Sequence, residues 1–225
     1  MIEVDGKEVF TELAEIVQPE HTALVVVDMQ RDFVDTDGFF GSLGIDLSMY
    51  DQTRPPLLNL LAAARKNNVL VVHVQNTALP EGRSDSPAQI RFNLRMHEAA
   101  RGEGPPLRYT VEGTPGHGFS EDFEPVGTEL VVRKYRSSGF WGTNLNLILG
   151  SNGIKSVVVT GCTTEGCVES TARDALFSDY YVVIATDCVG SDDKAQHDAS
   201  MSLMRHRFDL AESEQIADAW AAGRP

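Results

Sequence analysis

The 225-residue chain is short of the features that would place it in a membrane, on a nucleic acid or in a disulfide framework. No apolar run approaches the roughly 18 residues that a membrane-spanning helix needs, and no charged-then-apolar leader opens the chain, so neither a span nor a secretory signal is expected. Cysteine is scarce. Three thiols, an odd number, make no disulfide framework and fit a reducing, cytoplasmic setting in which any special thiol is free. Positive charge is also short: 19 Lys and Arg face 33 Asp and Glu, a net charge of −14. Polyphosphates and anionic lipid surfaces are held by clustered cations, so neither nucleic acid nor a membrane is expected as a partner.

What is present is an alternation of short apolar runs and helical patterns. "ALVVVD" ends at Asp28, and "PPLLNLLAAARKNN" (Pro55–Asn68) has helical spacing with prolines placed in its first turn. "VLVVHV" (Val69–Val74), "ELVVRK" (Glu129–Lys134), "SVVVTG" and "YYVVIATD" read as further strands. "TNLNLILGSNG", "EGCVESTARDALFS" and "KAQHDASMSLMRHR" read as the helices between and after them. Strand runs that are apolar throughout are buried on both faces, so the pattern predicts an α/β fold: a three-layer α/β/α domain on a mainly parallel sheet. Residues 1–225 read as one domain, with a Gly- and Pro-rich insertion at about 77–127 that holds a helix near Ala88–Ala100 and lines a site.

Three residues share a placement. Asp28 closes the first strand, Lys134 closes "ELVVRK", and Cys167 opens the helix after "SVVVTG". The carboxyl ends of parallel strands lie along one edge of the sheet, where such folds bind ligands. A helix N-terminus and an ammonium both favour thiolate, and a neighbouring carboxylate can move the proton. Each residue alone has a plain structural alternative: a turn cap, a solvated lysine, a small core thiol.

Together the stretches "ALVVVDMQRDF", "VVRKYRSSGFWGTNLNLIL" and "TGCTTEGCVESTARDA" resemble the isochorismatase-like cysteine hydrolases, over roughly Thr22 to Phe208. That family includes N-carbamoylsarcosine amidase, ureidoacrylate and biuret hydrolases, maleamate amidase and nicotinamidase. The resemblance implies a catalytic triad with Asp28 as general base and acid, Lys134 as its charged partner and Cys167 as nucleophile. It implies a non-proline cis peptide between Cys162 and Thr163, with the amides of Thr163 and Cys167 as an oxyanion hole. It further implies a cofactor-independent amidohydrolase that cleaves a small ureido or N-carbamoyl amide through a thioester, and a homo-oligomeric assembly. Biuret, maleamate or nicotinamide are the alternative substrates. Vinyl-ether hydrolysis of the isochorismatase type would dispense with Cys167, and a scaffold would have no use for a buried charge pair.

Metal is not expected. Metal-carrying nicotinamidases of this kind have an Asp-x-His pair where this chain has Asp51, Gln52 and Thr53, and its six histidines form no close pair on one helical face. His73 reads as a strand residue. Gln75, with Asn76 beside it, is a candidate for holding an amide. Phe33, Phe140 and Trp141 are candidate aromatic walls beside the motifs, with core packing the alternative for the two phenylalanines. Arg207 is expected either to pair with a substrate carboxylate or to be a solvated helix-end residue near Asp209. Cys188 reads as structural.

Overall fold

A computed structural model describes residues 1–96, 103 and 106–223. An antiparallel hairpin, β1 (Ile2–Val4) and β2 (Lys7–Val9), precedes the main sheet and pairs only with itself among the described residues. The core is then laid down by β3 (Thr22–Val27), α1 (Ser48–Lys66), β4 (Leu70–Asn76), α2 (Pro87–Met96), β5 (Leu130–Lys134) and α3 (Leu145–Ser151). It is completed by β6 (Ser156–Cys162), α4 (Glu169–Phe177), β7 (Tyr181–Gly190), α5 (Lys194–Met204), β8 (Asp209–Ala211) and α6 (Ser213–Ala222). The sheet has the order β5-β4-β3-β6-β7-β8, and every pairing in it is parallel.

The apolar strand runs supply both cores at once, because alternate residues of a strand face opposite sides. Leu24, Val26, Val71, Val158 and Val183 pack with Leu57, Leu60 and Leu61 of α1 and with Ile216 and Trp220 of α6. Ala23, Val25, Val72, Val157 and Ile184 pack on the other side with Leu145 and Leu149 of α3, Ala172 and Ala175 of α4, and Met204. The result is the expected layering of helices on both faces of a parallel sheet. Within the sheet, Gly161, at φ 102° on β6, allows no side chain, since a Cβ would lie 2.0 Å from the Val27 carbonyl oxygen of β3.

Three expectations change. Helix α1 begins at Ser48, not at Pro55, so both prolines lie inside it. Asp51 and Gln52, whose carbonyls lose their donors four residues on, are exposed to water, which makes the missing bonds tolerable. The extra turns bury Tyr50 and Thr53 against β7, where the small Gly190 admits them. Strand β8, helix α6 and the β1–β2 hairpin were not expected. The helix read near Ala88–Ala100 is present as Pro87–Met96, and residues 97–100 lie outside the described residues. Among the described residues no helix is long and apolar enough to cross a membrane.

Candidate active site

The carboxyl edge of the sheet gathers the three motif residues. Beyond β3 the chain turns at Asp28, whose φ is 55°, while its amide still donates to the Val74 carbonyl of β4 at 2.9 Å. Gln30 then clamps the neighbouring strand: its Nε2 donates to the carbonyls of Asn76 (3.0 Å) and His117 (2.8 Å), and its Oε1 accepts from the Asn76 amide at 2.8 Å. Lys134 ends β5, in register with Asn76. Its Nζ lies 2.7 Å from Asp28 Oδ2 and 3.1 Å from Cys167 Sγ. The Arg136 carbonyl at 3.2 Å and Asn76 Oδ1 at 3.4 Å accept from the same ammonium.

Cys167 stands in a five-residue π-helical turn, Thr164–Val168, that runs into α4. The loop after Lys134 is tied to that helix, since the Gly139 amide donates to Thr171 Oγ1 (2.9 Å) and Ser138 Oγ donates to Asp174 Oδ2 (2.5 Å). Through these bonds the "ESTARDA" stretch fixes the lysine segment against the cysteine segment. The Cys162–Thr163 peptide is cis, as the resemblance implies. Cys162 is buried, with its thiol donating to the Asp28 carbonyl at 3.2 Å, and Cys188 is core.

The electrostatics differ from the sequence expectation. Asp28 and Lys134 are fully buried. Burial pushes the Asp28 carboxyl up, and the Lys134 ammonium only partly opposes it. Burial alone would lower Lys134, but Asp28 and Cys167 beside it raise it, so it stays protonated. Cys167 is pushed up to about 12, chiefly by burial and further by the Asp28 carboxylate, against the pull of Lys134. The sequence points to a thiolate favoured by helix and ammonium, whereas burial and the Asp28 carboxylate shift Cys167 toward the thiol, beside a carboxylate of raised basicity. That arrangement suits proton transfer from Sγ to Asp28 at the moment of attack.

Cys167 and Thr163 open on a cleft of about 590 Å³. Thr77, Ala78, Ser84, Asp85, Gln89, Phe92 and Arg108 supply one side of it, which accounts for much of the described part of the 77–127 insertion. Phe33 lines it in an aromatic group, with ring centroids 5.5 Å from Phe40 and 5.3 Å from Tyr109. The remaining expected substrate contacts are not brought there. Gln75 is buried on the neighbouring face of β4 and donates to the His117 carbonyl at 2.9 Å, while Asn76 is the residue that lines the cleft. Phe140 packs into the core, 6.0 Å from Tyr180, and Trp141 is 66% exposed outside the cleft. Arg207 lies with Tyr181, Val182 and Asp209 at the opposite edge, where β7 and β8 begin. Helix α5 has by then carried the chain back to the amino ends of the strands.

Tyr50, Tyr109, Arg136, Glu165 and Asp192 line the cleft without having been singled out from sequence. Arg136 and Glu165 stood within the quoted motifs, two residues from Lys134 and Cys167, so proximity was a usable signal. Tyr50 was hidden by the late start assigned to α1. Among the described residues no three His, Cys, Asp or Glu side chains are grouped as metal ligands, and Asp51 is an exposed neighbour of Arg54.

Comparison with known proteins agrees with the geometry. Residues 22–214 match the Isochorismatase domain model. The ureidoacrylate amidohydrolase RutB of Enterobacter sp. (strain 638) is 33% identical over 178 residues, 75% of either chain. The N-carbamoylsarcosine amidase of Thermoplasma acidophilum superposes with a TM-score of 0.66 at 27% identity, over 86% of this chain and 97% of its own. The pyrazinamidase of Pyrococcus horikoshii, solved in complex with zinc, superposes with a TM-score of 0.68 at 28% identity, over 86% and 99%. The chain thus belongs to the isochorismatase-like cysteine hydrolase family, as a hydrolase of the C–N bond of small amides.

Proposed function

We propose that the protein hydrolyses a small linear amide of the ureido or N-carbamoyl type, releasing ammonia through a thioester on Cys167. One observation carries the reading: a single buried ammonium, Lys134, touches both Asp28 and Cys167 beside a cleft of small-molecule size. The sequence similarity to a ureidoacrylate amidohydrolase and the structural similarity to an N-carbamoylsarcosine amidase support the ureido class.

The groups act in order. Asp28 takes the Cys167 proton as Sγ attacks the carbonyl carbon, and Lys134 stabilises the negative charge on sulfur. The oxyanion falls to the amides of Thr163 and Cys167; losing one such donor typically costs about 3–4 kcal/mol. Asp28 returns the proton to the departing nitrogen, which leaves as ammonia with the bonding pair. Water then gives a proton to Asp28 and its hydroxide to the thioester, and collapse of the second intermediate restores the Cys167 thiol. With a ureido substrate the released product is a carbamate, which breaks down to carbon dioxide and an amine.

Ammonia release from ureido acids by the wild-type protein, its abolition in Cys167→Ala, and a trapped acyl mass on the Cys167 peptide are the expected results. An acyl mass on Cys162, or turnover that survives Cys167→Ala, would overturn the reading.

A further inference from the structure

The acidic chain must still attract its substrate, and the charged groups facing the cleft are unequally engaged. Arg108 pairs with Asp85 at 3.4 Å. Asp193 caps α5, accepting from the amides of Ala195 (2.9 Å) and Gln196 (3.0 Å), and Asp192 accepts from Tyr50 at 3.5 Å. Lys134 is committed to Asp28. Two groups remain. The Arg136 guanidinium touches backbone carbonyls, of Tyr135 and of Ser84 (3.1 Å), and no carboxylate lies within 4.0 Å of it among the described residues. Its own carbonyl holds Lys134 Nζ, which fixes residue 136 beside the reacting cluster. Glu165, two residues before Cys167, keeps one buried carboxylate oxygen with no hydrogen-bond partner. A buried carboxylate oxygen without a donor is costly unless a ligand completes it, and the half-buried Arg136 has no counter-charge of its own among the described residues, which leaves that place to a ligand.

We propose that Arg136 anchors the substrate's carboxylate while Glu165 accepts from its ureido N–H groups, so that the preferred substrate is a small ureido or N-carbamoyl acid bound in one orientation. This rests on the amidohydrolase reading and assigns its specificity. The planar fork of an arginine matches a carboxylate, and Arg136 lines the same cleft as Cys167, so one small molecule can span carboxylate and scissile carbonyl. Glu165 would meet the N–H side of the same group, leaving the carbonyl oxygen for the backbone donors. Arg207, at the far edge, takes no part.

The test compares 3-ureidopropionate with the length-matched neutral 3-hydroxypropylurea, by ammonia release. The wild-type protein is expected to favour the acid. Arg136→Gln should lower kcat/KM for the acid about 10- to 100-fold, mainly through KM, with a far smaller loss on the alcohol. Arg136→Lys should recover part of the loss, since it keeps the charge without the fork, and Glu165→Gln should weaken both ureas alike. Calorimetric binding of 3-ureidopropionate to Cys167→Ala, with and without Arg136→Gln, should show the same ratio free of any effect on chemistry. Equal losses on acid and alcohol, or a wild-type protein indifferent to the carboxylate, would overturn the assignment of Arg136 while leaving the amidohydrolase standing. Ammonia release that persists in Cys167→Ala would instead bring down the underlying function.

Discussion

The sheet carries a carboxylate cluster at each end of β5, half-buried around Glu129 and fully buried around Asp28, and the two are built to opposite effect. At the start of β5, Glu129 accepts from Arg65 Nε (2.7 Å) and Nη2 (3.1 Å), His73 Nε2 (2.9 Å) and the Val126 amide (2.9 Å). At the far end Asp28 meets a single ammonium, which it shares with Cys167. Burial would raise both acids. Four donors overcome it at Glu129 and hold the carboxyl at about 2, whereas at fully buried Asp28 the Lys134 ammonium, the Cys167 thiol and the Asn76 amide together do not overcome it. The depth of burial, more than the presence of a cation, decides which carboxylate is held charged as a strut and which is left basic.

Removing the proposed nucleophile or base should give the largest effects. Asp28→Asn keeps the shape and is expected to lower kcat by about 10²–10⁴-fold with the fold retained by circular dichroism. Cys167→Ala should abolish turnover, and Cys162→Ser, which alters a buried neighbour, should leave a measurable fraction. On the acid side kcat/KM should fall through a pH above the ordinary carboxylate range, as Asp28 becomes protonated. That inflection belongs to the coupled Asp28–Lys134–Cys167 group.

The strut should behave in reverse. Glu129→Gln is expected to cost about 1–3 kcal/mol in urea unfolding while kcat stays within a few-fold. Because Glu129 titrates lower folded than its ordinary 4.5, its contribution is complete above that pH and is lost as pH falls from about 4.5 toward about 2. Stability measured over that window should lose part of its pH dependence in Glu129→Gln. The smallest effect is expected from Arg207→Gln. It should leave KM for ureido acids unchanged, since Arg207 sits at the amino edge of the sheet. A raised KM there would break the division between a reactive edge and an inert one.

Much of this division was legible in the sequence. Asp28, Lys134 and Cys167 each follow an apolar β-run, and parallel strands bring such ends together whatever lies between. The misplacements have specific causes. Gln75 and Asn76 face opposite sides of β4, and only the register of Asn76 with Lys134 decides which faces the site. Phe140 and Trp141 are neighbours in a loop, where no period fixes direction, and one ring enters the core while the other meets solvent. Of the two readings open for Arg207 the structure favours the solvated helix-end residue near Asp209, and the unrecognised three-residue β8 is what kept the choice open: a residue entering a parallel strand from a helix lies at the strand's beginning, far from its carboxyl end. The state of Cys167 could not be read locally, since it depends on how deeply the fold buries the thiol and on Asp28 and Lys134, which lie far off in sequence.

The sheet order also has a consequence for when the enzyme can first work. Strands β3 and β6 are neighbours in space, with Thr22 in register with Ser156, so the middle of the sheet is a seam between two widely separated stretches of chain. Asp28 and Lys134 lie on one side of that seam, Thr163 and Cys167 on the other. On the proposed mechanism, a chain emerging from the ribosome has made Asp28 and Lys134 long before Cys167, and it stays chemically silent until β6 docks. A chain divided in the loop between β5 and α3 would give two inert halves whose activity reports their reunion, a natural split reporter with the scissors built into the seam.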